Sequence, residues 1–294
     1  MTMAFRIAFS FVLAAAISAA ESADRILIFT KTAGVRENNI ADNRKALKEF
    51  YEGKGLMVDT SENGGLFSDT GLARYRAVVF FKTTGDILTD AQQAAFEKWF
   101  QAGGAAQIIH ASLNTETAWP FYGKLIGGAW FKSLPGDSNT THTIVVEDST
   151  DASTRGLPRR WARKDEVYDF RANPRAARDP AMHILVTVDE STYRNGTAGT
   201  DHPMSWYCSY LGGRAWITAM GHVTVAYSDP LFLGHLWGGM EFLLGRPTVA
   251  VAAGPRQARA VGAKRGIIRS GVRFGTRLEK DARGREPDLR RQNP

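Results

Sequence analysis

The sequence predicts an α/β protein in which a doubly wound, mostly parallel β-sheet forms the middle of three layers. Three observations predict this fold. Short apolar runs alternate with amphipathic helical patterns through residues 26–110. These runs are continuous, as is typical of parallel strands that are buried on both faces. A hydrophobic content of 44% supplies enough apolar surface for a real core. We therefore expect a ligand site beyond the carboxyl ends of the strands.

The first half of the chain is predicted to contain four strands and two helices. The strands are residues 26–30, 56–60, 77–82 and 105–110, and the helices are residues 41–54 and 89–101. The second helix begins with a capping box from Thr89 to Gln92 and ends before Gly103, which is typical of a helix C-terminus. The fourth strand runs directly into His110.

The second half is predicted to be more irregular and richer in β-structure. Strand patterns cover residues 143–147 and 184–188, and residues 204–210 and 214–220 are expected to form a hairpin joined across Gly212 and Gly213. A last helix begins at Pro230, because proline suits the first helical position, and ends at Gly245.

Residues 1–20 are predicted to be a secretory signal peptide. Arg6 precedes an apolar run from Ile7 to Ala20 that is too short to span a bilayer comfortably, and the run ends in small residues that suit a cleavage site. We therefore expect a periplasmic or secreted protein with no integral membrane segment after cleavage. An uncleaved anchor is the alternative. In an oxidising compartment, the single Cys208 has no intramolecular disulfide partner.

Most of the positive charge lies in residues 246–294. This segment holds 13 Lys and Arg residues against four Asp and Glu, so residues 1–245, with 24 basic and 26 acidic groups, are close to neutral. The body of the protein thus gives no reason to expect a nucleic-acid partner. We expect an α/β domain at residues 24–245 followed by a disordered basic tail. Docking of the tail to an anionic membrane or polymer, and an abnormal C-terminus from a shifted reading frame, are the alternatives.

Polar side chains that could carry chemistry follow the predicted strands. His110 ends the fourth strand, with Asn114 and Glu116 in the turn behind it, and His222 follows the last strand. At the carboxyl edge of one sheet, we expect the two imidazoles within about 10 Å of each other, with Glu116 or Glu166 nearby. The alternative for His110 is a turn histidine that hydrogen-bonds to a carbonyl group.

Two further polar segments could reach the same edge. Residues 163–171 contain Asp165, Glu166 and Tyr168, and residues 200–207 contain Asp201 and His202. Because adjacent residues on a strand point to opposite faces, only one of Asp165 and Glu166 can face the cleft.

An ordered set of motifs over residues 25–245 resembles the ThuA-like family, the trehalose-utilisation proteins. The motifs include TKTAG at 30–34, IHASLNTETAWPFYGKLIGG at 109–128, DEVYDFRANPR at 165–175, ILVTVDEST at 184–192, GTDHPMSW at 199–206 and GHVTVAYSDPLFLGHLWGGMEFLLG at 221–245. The resemblance implies the fold of the class I glutamine amidotransferases, which is flavodoxin-like, and a function in carbohydrate catabolism.

The chain departs from the family pattern at several polar positions. Val35-Arg36-Glu37 stands where the family usually has Phe-Arg-His, and Leu134 stands where it usually has a histidine before proline. Residues 206–210 read WYCSY in place of Trp-Cys-His-Glu-Tyr, and Asn114 replaces an aspartate. The polar residues that remain are His110, Glu116, His202 and His222.

The resemblance implies an enzyme that acts on a sugar or an oxidised sugar, of hydrolase, lyase or isomerase type, with a divalent metal as a candidate cofactor. The candidate catalytic residues are His110, His222, Glu116 and Glu166. The candidate substrate-binding residues are His202, Asp201, Asn114, Tyr168 and Trp119. The alternative for Trp119 is a place in the core.

A second hypothesis is a degenerate, non-catalytic sugar-binding or accessory protein, which kept the pocket but lost the chemistry. Both hypotheses expect a small-molecule carbohydrate as the partner. Amidotransfer is excluded, because the chain has no cysteine at the turn after the fourth strand.

Overall fold

The computed structural model describes residues 23–135 and 139–246. The predicted signal peptide and all of the predicted tail beyond Arg246 lie outside the described residues. The strands are β1 (Arg25–Phe29), β2 (Met57–Ser61), β3 (Ala77–Phe81), β4 (Thr84–Gly85), β5 (Ala105–Ile109), β6 (Asn114–Thr115), β7 (Phe131–Ser133), β8 (Thr140–Val146), β9 (Arg160–Asp165), β10 (Asp169–Phe170), β11 (His183–Asp189), β12 (Pro203–Tyr210) and β13 (Gly213–Thr218). The helices are α1 (Ile40–Gly53), α2 (Asp69–Leu72), α3 (Asp90–Gln101), α4 (Pro120–Leu125) and α5 (Pro230–Leu244).

Nine of these strands form a mixed sheet in the order β2-β1-β3-β5-β13-β12-β11-β8-β9. Neighbours from β2 to β13 are parallel, and the pairs beyond β13 are antiparallel. Every residue of β3 and β5 is buried, because helices cover both faces of these central strands. The predicted α/β fold with one large sheet is confirmed, and its β-rich second half is the antiparallel extension.

Helices cover both faces of the parallel strands. Gln107 of β5 accepts a hydrogen bond from the Tyr51 hydroxyl of α1 (2.5 Å) and donates one to the Leu236 carbonyl of α5 (2.9 Å), so α1 and α5 lie on one face. Phe80 of β3 is paired with the residue after Gln107, which points the other way, and its ring packs 5.4 Å from that of Phe96 in α3. Among the described residues, none of the helices combines the length and apolar character needed to span a bilayer.

The hairpin between β12 and β13 turns one residue earlier than predicted. Its two loop residues, Leu211 and Gly212, both have positive φ (46° and 97°), which is typical of tight hairpin turns that match the twist of the strands. A Cβ atom at Gly212 would lie 2.4 Å from the carbonyl oxygen of Gln101. Glycine is therefore required at this position.

Strand β9 is not predicted by the sequence pattern. Its burial alternates, and Trp161, Arg163 and Asp165 are the residues that face the interior. Because two of the three are charged, the run lacks the apolar alternation that indicates a strand. An ion pair between Arg163 and Asp165 (2.6 Å) gives both buried charges a partner.

Three neighbouring parallel strands end at the same edge of the sheet. Lys82 directly follows β3, His110 directly follows β5, and His222 comes shortly after β13. Since β5 lies between β3 and β13, the backbone brings these three residues to one place. This is the edge at which the fold class predicts a ligand site.

Candidate functional site

His110 and His222 lie side by side at this edge. The Nε2 atom of His110 is 3.2 Å from the Nδ1 atom of His222, and the ring centroids are 5.1 Å apart. The predicted proximity of the two imidazoles is thus confirmed. His110 is fully buried and has a positive φ of 54°, which is uncommon for a residue other than glycine. Such backbone strain is often found at functional sites.

The ring of His110 is held in one orientation by its backbone and side-chain neighbours. Its Nδ1 atom lies 2.8 Å from the carbonyl oxygen of Ala219. Because a carbonyl oxygen only accepts, Nδ1 carries the hydrogen and Nε2 faces the cleft. The Tyr168 hydroxyl contacts Nε2 at 2.9 Å, and its ring stacks on the imidazole with centroids 4.6 Å apart.

Two carboxylates flank the imidazole pair. An oxygen of Glu166 lies 3.4 Å from His110 Nε2 and 3.3 Å from His222 Nδ1. Glu37 places one oxygen 3.5 Å from His110 Nε2 and the other 3.4 Å from His222 Nδ1. Both carboxylate side chains are only slightly exposed, at 12% and 13%. Two nitrogens and two carboxylates therefore converge at the floor of the cleft.

A buried lysine holds Glu37 in place. The Lys82 ammonium donates to the Glu37 carboxylate (2.6 Å), to the Asn39 side-chain oxygen (2.9 Å) and to the His222 carbonyl oxygen (2.7 Å). Its three hydrogens thus meet three acceptors. Burial lowers the pKa of Lys82, and the charge of Glu37 opposes that shift. Lys82 also has a positive φ, of 53°.

Asp165 positions the backbone of His222. Its carboxylate accepts the N–H groups of Gly221 (2.8 Å) and His222 (2.9 Å) and pairs with Arg163. Burial alone would raise the pKa of Asp165, but the charge of Arg163 and the N–H donors lower it below its usual range. The prediction that only one of two adjacent carboxylates can face the cleft is confirmed, since Glu166 faces it and Asp165 binds the backbone.

Burial and neighbouring charges set the protonation of the cleft residues. Burial would raise the pKa of Glu166, but the hydrogen bond and charge of His110 outweigh it and lower that pKa. Burial, together with the charge of His110, lowers the pKa of His222. Burial raises the pKa of Tyr168 well above its ordinary value. At neutral pH, Glu166 is therefore an anion, His222 is neutral and Tyr168 keeps its hydroxyl hydrogen.

Hydrogen-bond acceptors outnumber donors where these groups meet. His110 Nε2 faces the Tyr168 hydroxyl, His222 and both carboxylates, and only the hydroxyl necessarily brings a hydrogen. A shared proton or a metal cation would balance the excess of lone pairs. One ligand atom from each of Glu37, His110 and His222 lies within 4.8 Å of the others, a spacing that can hold a metal ion.

A cleft of about 240 Å³ opens above these groups. Its lining is mostly apolar. The lining residues are Val35, Glu37, Thr84, Ala111, Asn114, Phe131, Leu134, Glu166, Tyr168 and His222. The structure thus brings His222, Glu166, Tyr168 and Asn114 of the predicted site residues to one cleft, with His110 beneath them.

Two of the predicted site residues, Glu116 and Trp119, point away from this cleft. The Glu116 carboxylate accepts the N–H groups of Ile87 (2.8 Å) and Leu88 (2.7 Å), so it organises the loop before α3. Trp119 is 5% exposed and packs 5.8 Å from the ring of Phe96 in the core. Both residues are close to His110 in sequence, but the contacts of their side chains lie in the loop before α3 and in the core.

Asp201 and His202 lie in a neighbouring pocket. Asp201 accepts hydrogen bonds from Asn173 (2.9 Å) and Arg175 (2.8 Å) at the surface. His202 is fully buried, and its Nε2 atom contacts the Tyr168 carbonyl oxygen at 2.8 Å. This contact joins the second pocket to the His110 cleft through the backbone of Tyr168.

Sequence reasoning missed Glu37, Lys82 and Asn39 as parts of the site. A signal existed for Glu37, because it stands where the resembling family usually has a histidine. A lysine that ends the wholly apolar strand AVVFF was a second signal, since buried lysines are rare without a partner.

Comparison with known proteins supports the family resemblance. The family model for ThuA, described as trehalose utilisation, matches residues 25–243. The fold is similar to that of a ThuA-like protein from Bacteroides uniformis ATCC 8492, with a TM-score of 0.63 and 20% identity over 76% of this chain and 93% of that chain. It is also similar to a ThuA-like protein from Parabacteroides merdae ATCC 43184, with a TM-score of 0.60 and 23% identity over 76% of this chain and 91% of that chain.

At such identities the structural likeness shows the fold alone. No curated protein sequence gives a significant match. The family match covers the whole sheet and α5 up to Leu243, and includes every residue of the imidazole and carboxylate cluster. This chain therefore belongs to the ThuA family, and that membership supports a role related to trehalose utilisation.

Proposed function

We propose that this protein is an enzyme of carbohydrate catabolism that removes a carbon-bound proton from an oxidised sugar in the His110–His222 cleft. One observation carries the proposal: two imidazoles, a carboxylate and a phenol converge within hydrogen-bond reach at the floor of one cleft. Imidazoles and carboxylates are the usual general acids and bases of enzymes. β-Elimination by lyases and isomerisation through an enediol both begin with such a proton transfer.

Glu166 is the residue proposed to accept the proton. Its pKa is lowered, so it is ionised at neutral pH and suits a base better than an acid. Glu37, the other carboxylate, has one oxygen bound to the Lys82 ammonium at 2.6 Å, which makes it a weaker base and leaves its second oxygen facing His110. A glycosidase with two carboxyl groups needs one of them to be protonated, with a raised pKa. The lowered pKa of Glu166 therefore favours proton abstraction over glycoside hydrolysis.

An uncharged hydrogen-bond donor beside the proposed base, the Tyr168 hydroxyl, suits the stabilisation of the carbanion that proton removal produces. Removing a proton next to a carbonyl group places negative charge on the carbonyl oxygen, which hydrogen-bond donors stabilise. Tyr168 keeps its hydrogen because burial raises its pKa, and a substrate oxygen would replace His110 Nε2 as the acceptor of that hydrogen. The phenol is also fixed by stacking on His110, so it needs no reorganisation when charge develops.

The donor set also fits a divalent metal. His110, His222 and Glu37 would hold the ion, since two imidazole nitrogens with one carboxylate are typical ligands of zinc and of non-haem iron sites. When bound, the ion would polarise a substrate oxygen. The hydrogen bond from His110 Nδ1 to the Ala219 carbonyl is the kind of contact that orients metal-binding histidines.

Hydrogen–deuterium exchange tests this proposal whatever the final product of the reaction. A panel of keto-sugars and keto-disaccharides is incubated with the protein in D2O, with and without Zn²⁺ or Mn²⁺, and followed by proton NMR. We expect one class to lose the signal of the hydrogen next to its carbonyl group. Glu166→Gln should slow that exchange at least about 100-fold, the usual contribution of a general base. Glu147→Gln, a partly exposed carboxylate that pairs with Arg175, is the matched control and should exchange at the wild-type rate.

The outcome separates an enzyme from a binding protein. Sugar binding by the wild-type protein without exchange or turnover would favour the non-catalytic accessory role. Equal exchange rates in wild type and Glu166→Gln would refute the assignment of Glu166 as the base.

A further inference from the structure

A second cluster of polar residues lies on the other side of Tyr168. Asp169, Glu190 and His202 meet at a pocket of about 190 Å³, which is separate from the His110 cleft and is lined in part by Asp169 and His202. One ligand atom from each of these three residues lies within 4.8 Å of the others. The proposed proton transfer does not use this cluster.

His202 presents one nitrogen to this cluster. Its Nε2 atom lies 2.8 Å from the Tyr168 carbonyl oxygen, which can only accept, so Nε2 carries a hydrogen. Its Nδ1 atom lies 2.7 Å from a carboxylate oxygen of Glu190 and 3.1 Å from the Tyr193 hydroxyl. Histidines that bind metals commonly donate their other nitrogen to a backbone carbonyl in this way.

One side-chain oxygen of Asp169 lacks a hydrogen-bond partner within the part of the chain that the structure describes. Asp169 is 3% exposed, and its oxygen without a partner is Oδ1. Its other oxygen accepts a long hydrogen bond from Ser133 (3.4 Å). A buried carboxylate oxygen without a partner is costly and is rare in proteins unless a cation neutralises it.

We propose that Asp169, Glu190 and His202 form a site for a divalent cation. One imidazole nitrogen with two carboxylates is a donor set for zinc or manganese. With His202 neutral, the three side chains carry two negative charges, which a divalent ion balances. A proton on His202 Nδ1 would satisfy its contact with Glu190, which also accepts the Tyr193 hydroxyl (3.0 Å), but would leave the Asp169 oxygen unpartnered, so protonation alone does not account for all three groups.

The cation would fix the position of Tyr168. Glu190 accepts the backbone N–H groups of Ala198 (3.0 Å) and Gly199 (2.7 Å), which ties the loop between β11 and β12 to the cluster. Asp169 directly follows Tyr168, and His202 binds the Tyr168 carbonyl. An ion held by these residues would therefore join that loop to the backbone of the residue whose hydroxyl contacts His110.

Metal binding tests this site independently of any activity. The wild-type protein, stripped with a chelator, is titrated calorimetrically with Zn²⁺ and with Mn²⁺, and its metal content is then measured after dialysis. The double variant His110→Asn, His222→Asn removes two ligands of the first candidate site and should retain one equivalent of metal. Adding Asp169→Asn to this background should abolish the remaining binding. Adding Asp201→Asn is the matched control and should retain it, because Asp201 lines the same pocket but is partly exposed and already paired.

Three outcomes would overturn the proposal. One is a double variant that folds, as judged by circular dichroism, and binds no metal. Another is an Asp169→Asn protein that binds metal as tightly as its parent. The third can be measured even if Asp169→Asn fails to fold. It is a nitrogen NMR spectrum of the folded wild-type protein, recorded in the presence of Zn²⁺, in which both ring nitrogens of His202 carry a hydrogen. Failure of the proposed enzymatic function would leave this test unaffected, because its readout is metal bound per chain.

Discussion

Replacing Lys82 with methionine should destabilise the protein by about 3 kcal/mol. Methionine has a similar length but cannot donate to the carboxylate of Glu37 or the side-chain oxygen of Asn39. Each buried polar group left unpaired costs about 1 to 3 kcal/mol, and breaking a buried ion pair by removing one partner costs about 3 to 5 kcal/mol. The His222 carbonyl keeps a second donor, the Asn39 amide (2.9 Å), and Glu37 is 13% exposed, so the lower part of that range applies.

Urea unfolding at pH 7 measures this effect. Lys48→Met is the matched control, because Lys48 is partly exposed, pairs with Glu52 and donates to the Val58 carbonyl (3.1 Å), so its loss should cost no more than about 1 kcal/mol. Adding Glu37→Gln to Lys82→Met should recover part of the loss, since the second change removes the unpaired carboxylate. If Lys82→Met were as stable as Lys48→Met, Lys82 would not be the group that holds Glu37, and the described role of the cluster would be wrong.

Three other predictions address pH, backbone geometry and processing. Burial lowers the pKa of His142 and of His235 to about 4, and unfolding returns each pKa to about 6.5, so protonation favours the unfolded state. The free energy of unfolding should therefore be at its full value above pH 6.5 and should fall by about 2 kcal/mol per histidine by pH 5. Identical free energies of unfolding at pH 7 and pH 5 would contradict this. Gly221→Ala should destabilise the protein by at least about 2 kcal/mol, because the φ of Gly221 is 111° and a Cβ atom would lie 2.7 Å from a tyrosine hydroxyl. Thermal unfolding measures this change. The control is Gly234→Ala, in open space on α5, which should be neutral or stabilising. We also propose that the protein is exported, because an apolar run precedes Ala20. Intact-mass analysis of the exported protein should show that residues 1–20 have been removed. A mature chain that still begins at Met1 or Thr2 would contradict this proposal.

The parts of the site that follow from strand ends could be predicted from the sequence. His110 and His222 each follow a continuous apolar strand, and parallel strands of one sheet deliver their carboxyl ends to one edge. To predict that the two histidines share a cleft, it was therefore enough to recognise the two strands. Glu166 was a candidate because it shares a polar segment with Tyr168, and strand alternation predicted that Glu166 and Asp165 would not both face the cleft without indicating which one would.

The parts that depend on loop direction could not be predicted. Glu37 lies in the loop after β1, and its position depends on Lys82, which comes from another strand. Glu116 and Trp119 are close to His110 in sequence, but the chain between them contains left-handed backbone at His110 and Glu116, which a hydrophobic pattern does not reveal. Strand β9 was not predicted, because its inward face carries Arg163 and Asp165 and a hydrophobic pattern cannot reveal a buried ion pair.

Paired measurements on two buried histidines decide whether His110 is held for chemistry or for packing. His235 is also fully buried, with Nδ1 2.8 Å from the Ser153 carbonyl, but it lies on α5 away from the cleft. The exchange rate of the substrate hydrogen and the free energy of unfolding are measured for His110→Asn and His235→Asn. We expect His110→Asn to slow exchange at least about tenfold, which is about 1.4 kcal/mol, and to cost less than that in stability, because asparagine keeps an N–H donor for the Ala219 carbonyl. His235→Asn should show the reverse, a loss of stability with exchange unchanged. A His110→Asn protein that unfolds, together with a His222→Asn protein that exchanges at the wild-type rate, would contradict a chemical role for the pair.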